Sequence, residues 1–149
     1  MSRQLFLSGL VLLLLNGCTL VSAPSSQFNS DHNTLFVELG GMEGITTITS
    51  LFVEQISWDQ PHFKHFKNTN IERFRSKFAE QLCMISDGPC EYTGDTMIQV
   101  HTGMAITEKE FNRTVDLLIT AMTQAGIKHT TQNKLLARLA PLRGEIILK

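Results

Sequence analysis

The chain has no surplus of basic charge, no apolar run long enough to cross a bilayer and no internal repeat. Its 149 residues carry 13 Lys and Arg against 14 Asp and Glu, a formal net charge of −1. A nucleic-acid surface needs Lys and Arg clustered on one face. No basic block exists here, so no nucleic-acid partner is expected. The most apolar stretch, residues 5–15, is shorter than the roughly 20 residues a spanning helix needs. Alternation of apolar and polar residues between turn signals is also missing, which argues against a sheet. Cysteine is scarce: Cys18, Cys83 and Cys90 are the whole complement. One thiol pair without a neighbouring His or Cys pair is a poor zinc site.

What the N-terminus does have is Arg3, then residues 5–15, apolar except for Ser8 and Gly9, then Asn16-Gly17-Cys18. A positive start followed by about 7–15 apolar residues fits a secretory signal peptide. Leu15-Asn16-Gly17-Cys18 resembles the lipobox of bacterial lipoproteins, which implies cleavage before Cys18 and acylation of its thiol. Cleavage near Ala23, as in an ordinary signal peptide, is the alternative. Residues 1–17 are thus expected to be a lipoprotein signal, and residues 18–33 an acylated cysteine with a flexible tether. The tether carries Ser22, Pro24, Ser25, Ser26, Asn29 and Ser30 without any helical or alternating period. The expected location is the cell envelope, facing the periplasm, with the lipid in the outer rather than the inner membrane.

Residues 34–149 have the length of one domain. In an oxidising compartment Cys83 and Cys90 form an even pair. The Gly88-Pro89 turn between them is suited to bringing their α-carbons within the roughly 4.4–6.8 Å a disulfide requires. Closing so short a loop adds about 2–3 kcal/mol on the chain-entropy account. A disulfide is favoured, with a metal site as the alternative.

Apolar residues beyond position 34 recur at three and four. Leu35, Phe36 and Leu39 make a short first turn that stops at Gly40-Gly41. Ile45, Ile48, Leu51, Phe52 and Ile56 predict one helix, ending near Trp58-Asp59-Gln60-Pro61. Thr69-Asn70-Ile71-Glu72 has capping-box spacing and opens a helix with Ile71, Phe74, Phe78, Leu82 and Ile85 on one face. Thr107 and Glu110 repeat that signature ahead of Phe111, Val115, Leu118, Ile119 and Met122, and Gly126 closes the helix. A last helix carries Leu135, Leu136, Leu139, Leu142 and Ile146, with Pro141 dividing or kinking it. The predicted fold is all-α. Residues 86–106 show only short helical stretches, and a long irregular segment inside a compact domain is usually functional. His101 lies in it, one turn after Met97. Such a histidine is either a hydrogen-bonded core residue or a ligand for something buried beside it.

Several landmarks bear on that choice. They are Leu39-Gly40-Gly41, Phe66 ahead of Asn68-Thr69-Asn70, Gly88-Pro89, Tyr92-Thr93-Gly94, the run from His101 to Thr107, and Leu139-Ala140-Pro141-Leu142. In order and spacing they resemble the first group of the truncated haemoglobins, over roughly residues 35–147. The resemblance implies a two-over-two helical sandwich around haem b, with a loop replacing much of the helix on the iron-ligand side. It places His101 on the haem iron and Phe66 against the porphyrin face. His32, His62, His65 and His129 lack that context. His62 and His65 are expected on the surface, in a loop before Phe66.

The opposite side departs from the family. Counted from Gly40-Gly41, the position of a frequent ligand-binding tyrosine is Val53; a register slip of one would make it Phe52. Counted from Thr69-Asn70, a frequent distal glutamine falls on Phe78, with Phe74 one turn before it. The implied cofactor contacts are therefore His101, Phe66, Val53, Phe74, Phe78, Lys77 and Met97. Lys77, with Arg73 or Arg75, either reaches a haem propionate or faces solvent. Gln81 either joins the pocket or sits too deep, and Glu80 is expected to face solvent.

A pocket donor stabilises the negative charge on bound oxygen by roughly 1.5–3 kcal/mol. Val53 and Phe78 have no donor, so oxygen is expected to leave quickly. The expected function is reversible binding of a diatomic gas, O2, NO or CO. Nitric oxide dioxygenation would also need a reductase, and no electron donor is legible, so no enzymatic activity is assigned. An envelope-tethered haem carrier or scavenger and a non-haem helical interaction module are the alternatives.

Overall fold

The structure, a computed structural model, describes residues 34–149, with the side chains of residues 61–63 left out. The expected signal peptide, acylated Cys18, tether and His32 lie outside the described residues, as does the His62 side chain. Among the described residues every regular element is helical. They are α1 (Leu35–Glu38), α2 (Gly41–Trp58), α3 (Gln60–Phe66), α4 (Ile71–Ile85), α5 (Met97–His101), α6 (Glu108–Gln124), α7 (His129–Leu139) and α8 (Arg143–Ile146). A 3-10 turn, Ala140–Leu142, joins the last two, so Pro141 divides the C-terminal helix as its ring geometry requires.

Helix α2 is the centre of the sandwich. Its stripe Ile45, Ile48, Phe52 and Ile56 is buried at helical spacing, and it packs on α4 within one layer and on α6 in the other. Helix α7 closes the second layer against α6 and touches α4. The interior between them holds Leu39, Leu82, Cys83, Leu117, Leu118, Ala121, Met122 and Leu135. This is the two-over-two arrangement expected from the periodicity and the resemblance.

Two boundaries differ from the sequence reading. The chain does not enter a loop after Trp58. It breaks at Asp59 and restarts as α3, with Pro61 in the first turn, where a missing N–H leaves no bond unmade. Helix α4 is capped by Asn70, whose side chain accepts from the Arg73 N–H at 2.9 Å, so the Thr69–Glu72 box does not form. The second box does: Thr107 and Glu110 exchange side-chain-to-backbone bonds at the start of α6.

The turn into α2 depends on glycine. Gly40 and Gly41 take φ of 86° and 64°, the left-handed region where a side chain is strained. Gly44, inside the helix, lies so close to the preceding strand of chain that a Cβ would overlap the Leu39 carbonyl.

The segment between α4 and α5 runs back along α4. Cys83 and Cys90 form a disulfide with α-carbons 5.8 Å apart. One turn earlier on α4, Glu80 accepts from both the N–H and the hydroxyl of Thr93, at 3.0 and 2.9 Å. Further back, Arg73 donates to Asp95 at 3.2 Å. Thr96 then caps α5 in a full capping box with Gln99. The irregular stretch is therefore fastened to α4 at three points, Cys83, Glu80 and Arg73, and delivers His101 to a fixed place.

Gly44→Ala is expected to lower stability by about 2 kcal/mol or more, because overpacking against backbone cannot relax by a rotamer change. Gly144→Ala, with open space around it, is expected to be neutral or stabilising by up to about 1 kcal/mol. Denaturant unfolding of the two variants checks the contrast.

Candidate functional site

A cavity of about 670 Å3 opens between α4, α5, α6 and the α7–α8 corner, close to the middle of the size range of small-molecule pockets. One face of α4 supplies a wall: Asn70, Arg73, Phe74, Lys77, Phe78 and Gln81 recur at three and four. Charged members stand at one edge of that stripe and phenyl rings fill the rest. Phe52 from α2 and Phe66 from α3 complete an aromatic wall. Phe66 meets Phe74 edge-on at 5.1 Å, and Phe74 stacks on Phe78 at 5.7 Å. Phe52 lies 5.1 Å from Phe78. Offset and edge-on pairs of this kind add about 0.5–1.5 kcal/mol each beyond area burial, so the wall is stiff as well as apolar.

His101 also lines the cavity, with Met97 and Val100 of α5. Its Nδ1 lies 2.7 Å from the Met97 carbonyl oxygen. A carbonyl only accepts, so Nδ1 donates, and in the neutral ring Nε2 carries the lone pair. Among the described residues no hydrogen bond is made to Nε2. Histidines that bind metal are usually arranged this way, with a backbone carbonyl fixing the tautomer and the ring orientation. Among the described residues no group of three or more His, Cys, Asp or Glu has the makings of a metal site.

Gln81 is 8% exposed and lines the cavity beside Met97, its amide donating to the thioether sulfur at 3.3 Å. The rim cations are paired. Lys77 donates to Glu80 at 2.8 Å and also to the Thr93 hydroxyl; Arg73 pairs with Asp95; Arg143 pairs with Glu108 and lies over the Phe111 ring. Lys77 and the two Thr93 donors hold the Glu80 carboxyl down to about 2. Burial, then the nearby Asp95 charge, pushes the Tyr92 phenol above its ordinary value, and its hydroxyl donates to the Asp95 carbonyl.

Of the residues singled out in the sequence, His101, Phe66, Phe74, Phe78, Lys77 and Met97 come together around this cavity, and Gln81 joins them. Val53 does not. Phe52 lines the cavity in its place, because neighbouring helix residues point about 100° apart and the buried stripe of α2 includes Phe52. Glu80 stays partly exposed, but its carboxylate is engaged by Lys77 and Thr93 and anchors the α4–α5 connection. His65 is not a loop surface residue either: it sits on α3, 15% exposed, with Nε2 3.2 Å from Glu110. Phe111, Val115 and Leu118 from the α6 stripe and Leu136 and Leu139 from the α7 stripe also line the cavity, Leu118 being part of the core as well. Tyr92 and Asp95 gave no periodic signal because they stand on irregular chain.

A two-layer helical sandwich closed over an apolar pocket with one presented imidazole defines a globin-like architecture. A family model described as bacterial-like globin matches residues 34–147. The chain is 32% identical over 113 residues to a group 1 truncated hemoglobin GlbN of Mycolicibacterium paratuberculosis, covering 76% of this chain and 83% of that protein. It is 29% identical over 94 residues to a group 1 truncated hemoglobin of Tetrahymena thermophila, 63% of this chain and 78% of the relative. The solved truncated hemoglobin of Tetrahymena pyriformis in its Fe(III) form superposes with a TM-score of 0.76 at 23% identity, over 78% of this chain and all of that one. The chain belongs to the bacterial-like globin family, in its group 1 truncated hemoglobin branch.

Because the Glu80 carboxyl is depressed below its ordinary value near 4.5, its stabilising contribution is present above that value and is lost as pH falls toward 2. Glu80→Gln is expected to flatten the fall in melting temperature over that window. An unchanged slope would show that the Glu80 contacts do not contribute.

Proposed function

We propose that this protein binds haem b through His101 and takes up a diatomic gas on the side facing Phe52, Phe74 and Phe78. The observation that carries the reading is the His101 imidazole, fixed by the Met97 carbonyl and presenting a free Nε2 to an apolar cavity. The residues fit the group that the family implies. Phe66, Phe74, Phe78, Met97 and Leu118 would offer hydrocarbon to a flat macrocycle, and Arg73, Lys77 and Arg143 are the cations in the cavity lining that could meet its carboxylates. Bound haem iron supplies an open coordination position for O2, NO or CO.

The chain's own residues then set the selectivity. Phe52, Phe74 and Phe78 exclude water and donate no hydrogen bond, and the Gln81 amide is directed to the Met97 sulfur, so these residues would offer a charged ligand no donor. NO and CO depend less on such a donor, and the pocket favours them relative to oxygen. Phe52, Phe74 and Phe78 supply no acid–base group for proton transfer, and gas binding is the proposed role.

Protein reconstituted with haemin is expected to show an intense Soret band that His101→Ala removes or shifts. Phe78→Gln is expected to slow oxygen release about tenfold to a hundredfold, the worth of one charge-assisted bond. No Soret band in the wild type would sink the haem reading. Unaltered oxygen kinetics in Phe78→Gln would sink the account of the wall alone.

A second reading, haem delivery, is favoured by the rim, where all three cations already hold carboxylate partners and have less to offer a propionate. Rapid haem transfer to an acceptor apoprotein would select it. The lipobox supports attachment to the envelope membrane through Cys18. Incorporation of labelled palmitate in a bacterial host, lost in Cys18→Ser, is the expected result.

A further inference from the structure

The chain's last residues reach back to the stretch that follows His101. The Lys149 carbonyl accepts from the N–H of Gly103 at 3.0 Å and from that of Ala105 at 3.3 Å. The Leu148 N–H donates to the Ile106 carbonyl at 3.0 Å. These three bonds tie together three left-handed backbone positions: Gly103 at φ 83°, Ala105 at 47° and Leu148 at 54°. Left-handed geometry is disfavoured for alanine and leucine and persists only where surrounding contacts over-determine it. Nothing in side-chain packing explains it for Leu148, which is 71% exposed. The bonds themselves are what the geometry serves.

Their location is specific. Helix α5 has only five residues, too few to hold its own shape in water, and His101 is its last. On the upstream side α5 is held by the Thr96–Gln99 capping box and by Gln81 on Met97. Downstream, the His101 carbonyl accepts from Met104 N–H, α5 packs on α8, and the turn is tied to the chain's last residues through Gly103, Ala105 and Ile106. We propose that residues 148–149 are a positioning strap for His101: by pinning residues 103–106 through the backbone, they fix the height and tilt of the imidazole in the cavity. The inference rests on His101 being the iron ligand.

The experiment compares three haem-loaded proteins: the wild type, a chain ended after Ile147, and Leu148→Gly. The shortened chain is expected to keep its helical content and haem-free melting temperature, since it loses only exposed residues. It should release haem to an acceptor apoprotein about tenfold faster, and its ferrous iron–imidazole stretching band should shift and broaden. Leu148→Gly retains the N–H and suits the left-handed backbone, so it should behave as the wild type. The same truncation made in His101→Gly, with free imidazole supplied as ligand, should leave haem release unchanged, because the ligand is no longer attached to the strap. An equal acceleration there would overturn the proposal and assign the effect to the cavity wall at Arg143 and Ile146. An unchanged stretching band in the shortened chain would overturn it as well. A wild type that takes up no haem would instead fail the proposed function, a distinguishable result.

Discussion

The hydrogen bond between His101 Nδ1 and the Met97 carbonyl settles which nitrogen faces the cavity, and much of the surrounding structure keeps that carbonyl in place. Met97 opens a helix of one turn and a fraction, which has little intrinsic stability. It is held because Thr96 and Gln99 cap it, because Gln81 reaches its sulfur from α4, and because residues 90–95 are fastened along α4. If Met97 moved by an ångström, Nδ1 would need another acceptor, and none is offered by the phenyl and aliphatic walls. The imidazole would then turn away from its present orientation. A single backbone oxygen thus connects the capping chemistry of α5 to what the pocket binds.

The helices and their inward stripes were legible in sequence, because a two-layer sandwich buries one face of each helix and the period of three and four survives. What escaped was local. Helix α3 went unseen because Pro61 reads as a stop, although proline is well tolerated in a first turn. Thr69 and Asn70 both suit a cap, and only the backbone shows that Asn70 takes the role. Val53 and Phe52 differ by one residue, a rotation of about 100° that composition does not resolve. Glu80 looked like one more charge on a solvated face. Its partner Thr93 lies on irregular chain, where no period announces which side chains meet.

The site itself divides the same way. His101 was recognisable from its neighbours in sequence, and the aromatic wall from the spacing of Phe74 and Phe78. The charge balance at the rim was not, since each cation finds its carboxylate through a tertiary contact: Arg73 with Asp95, Arg143 with Glu108, and Lys77 with Glu80 in an arrangement that Thr93 completes. The result is a pocket apolar inside and nearly neutral at its mouth. An anionic, flat guest meets little long-range attraction there and depends on shape and on the imidazole.

The fastening of residues 90–95 to α4 also bears on the order in which the pocket assembles. Its contacts join positions 7, 13 and 22 residues apart, whereas the polar contact between α2 and α6 through Gln55 and Gln124 spans 69. Loop-closure entropy rises with separation, so the short-range side costs less to form. The α4 side of the pocket, which carries Phe74 and Phe78 as well as the connection to His101, can therefore be organised ahead of the packing of α2 on α6. Residue-resolved amide exchange on the haem-free chain reads that ranking directly.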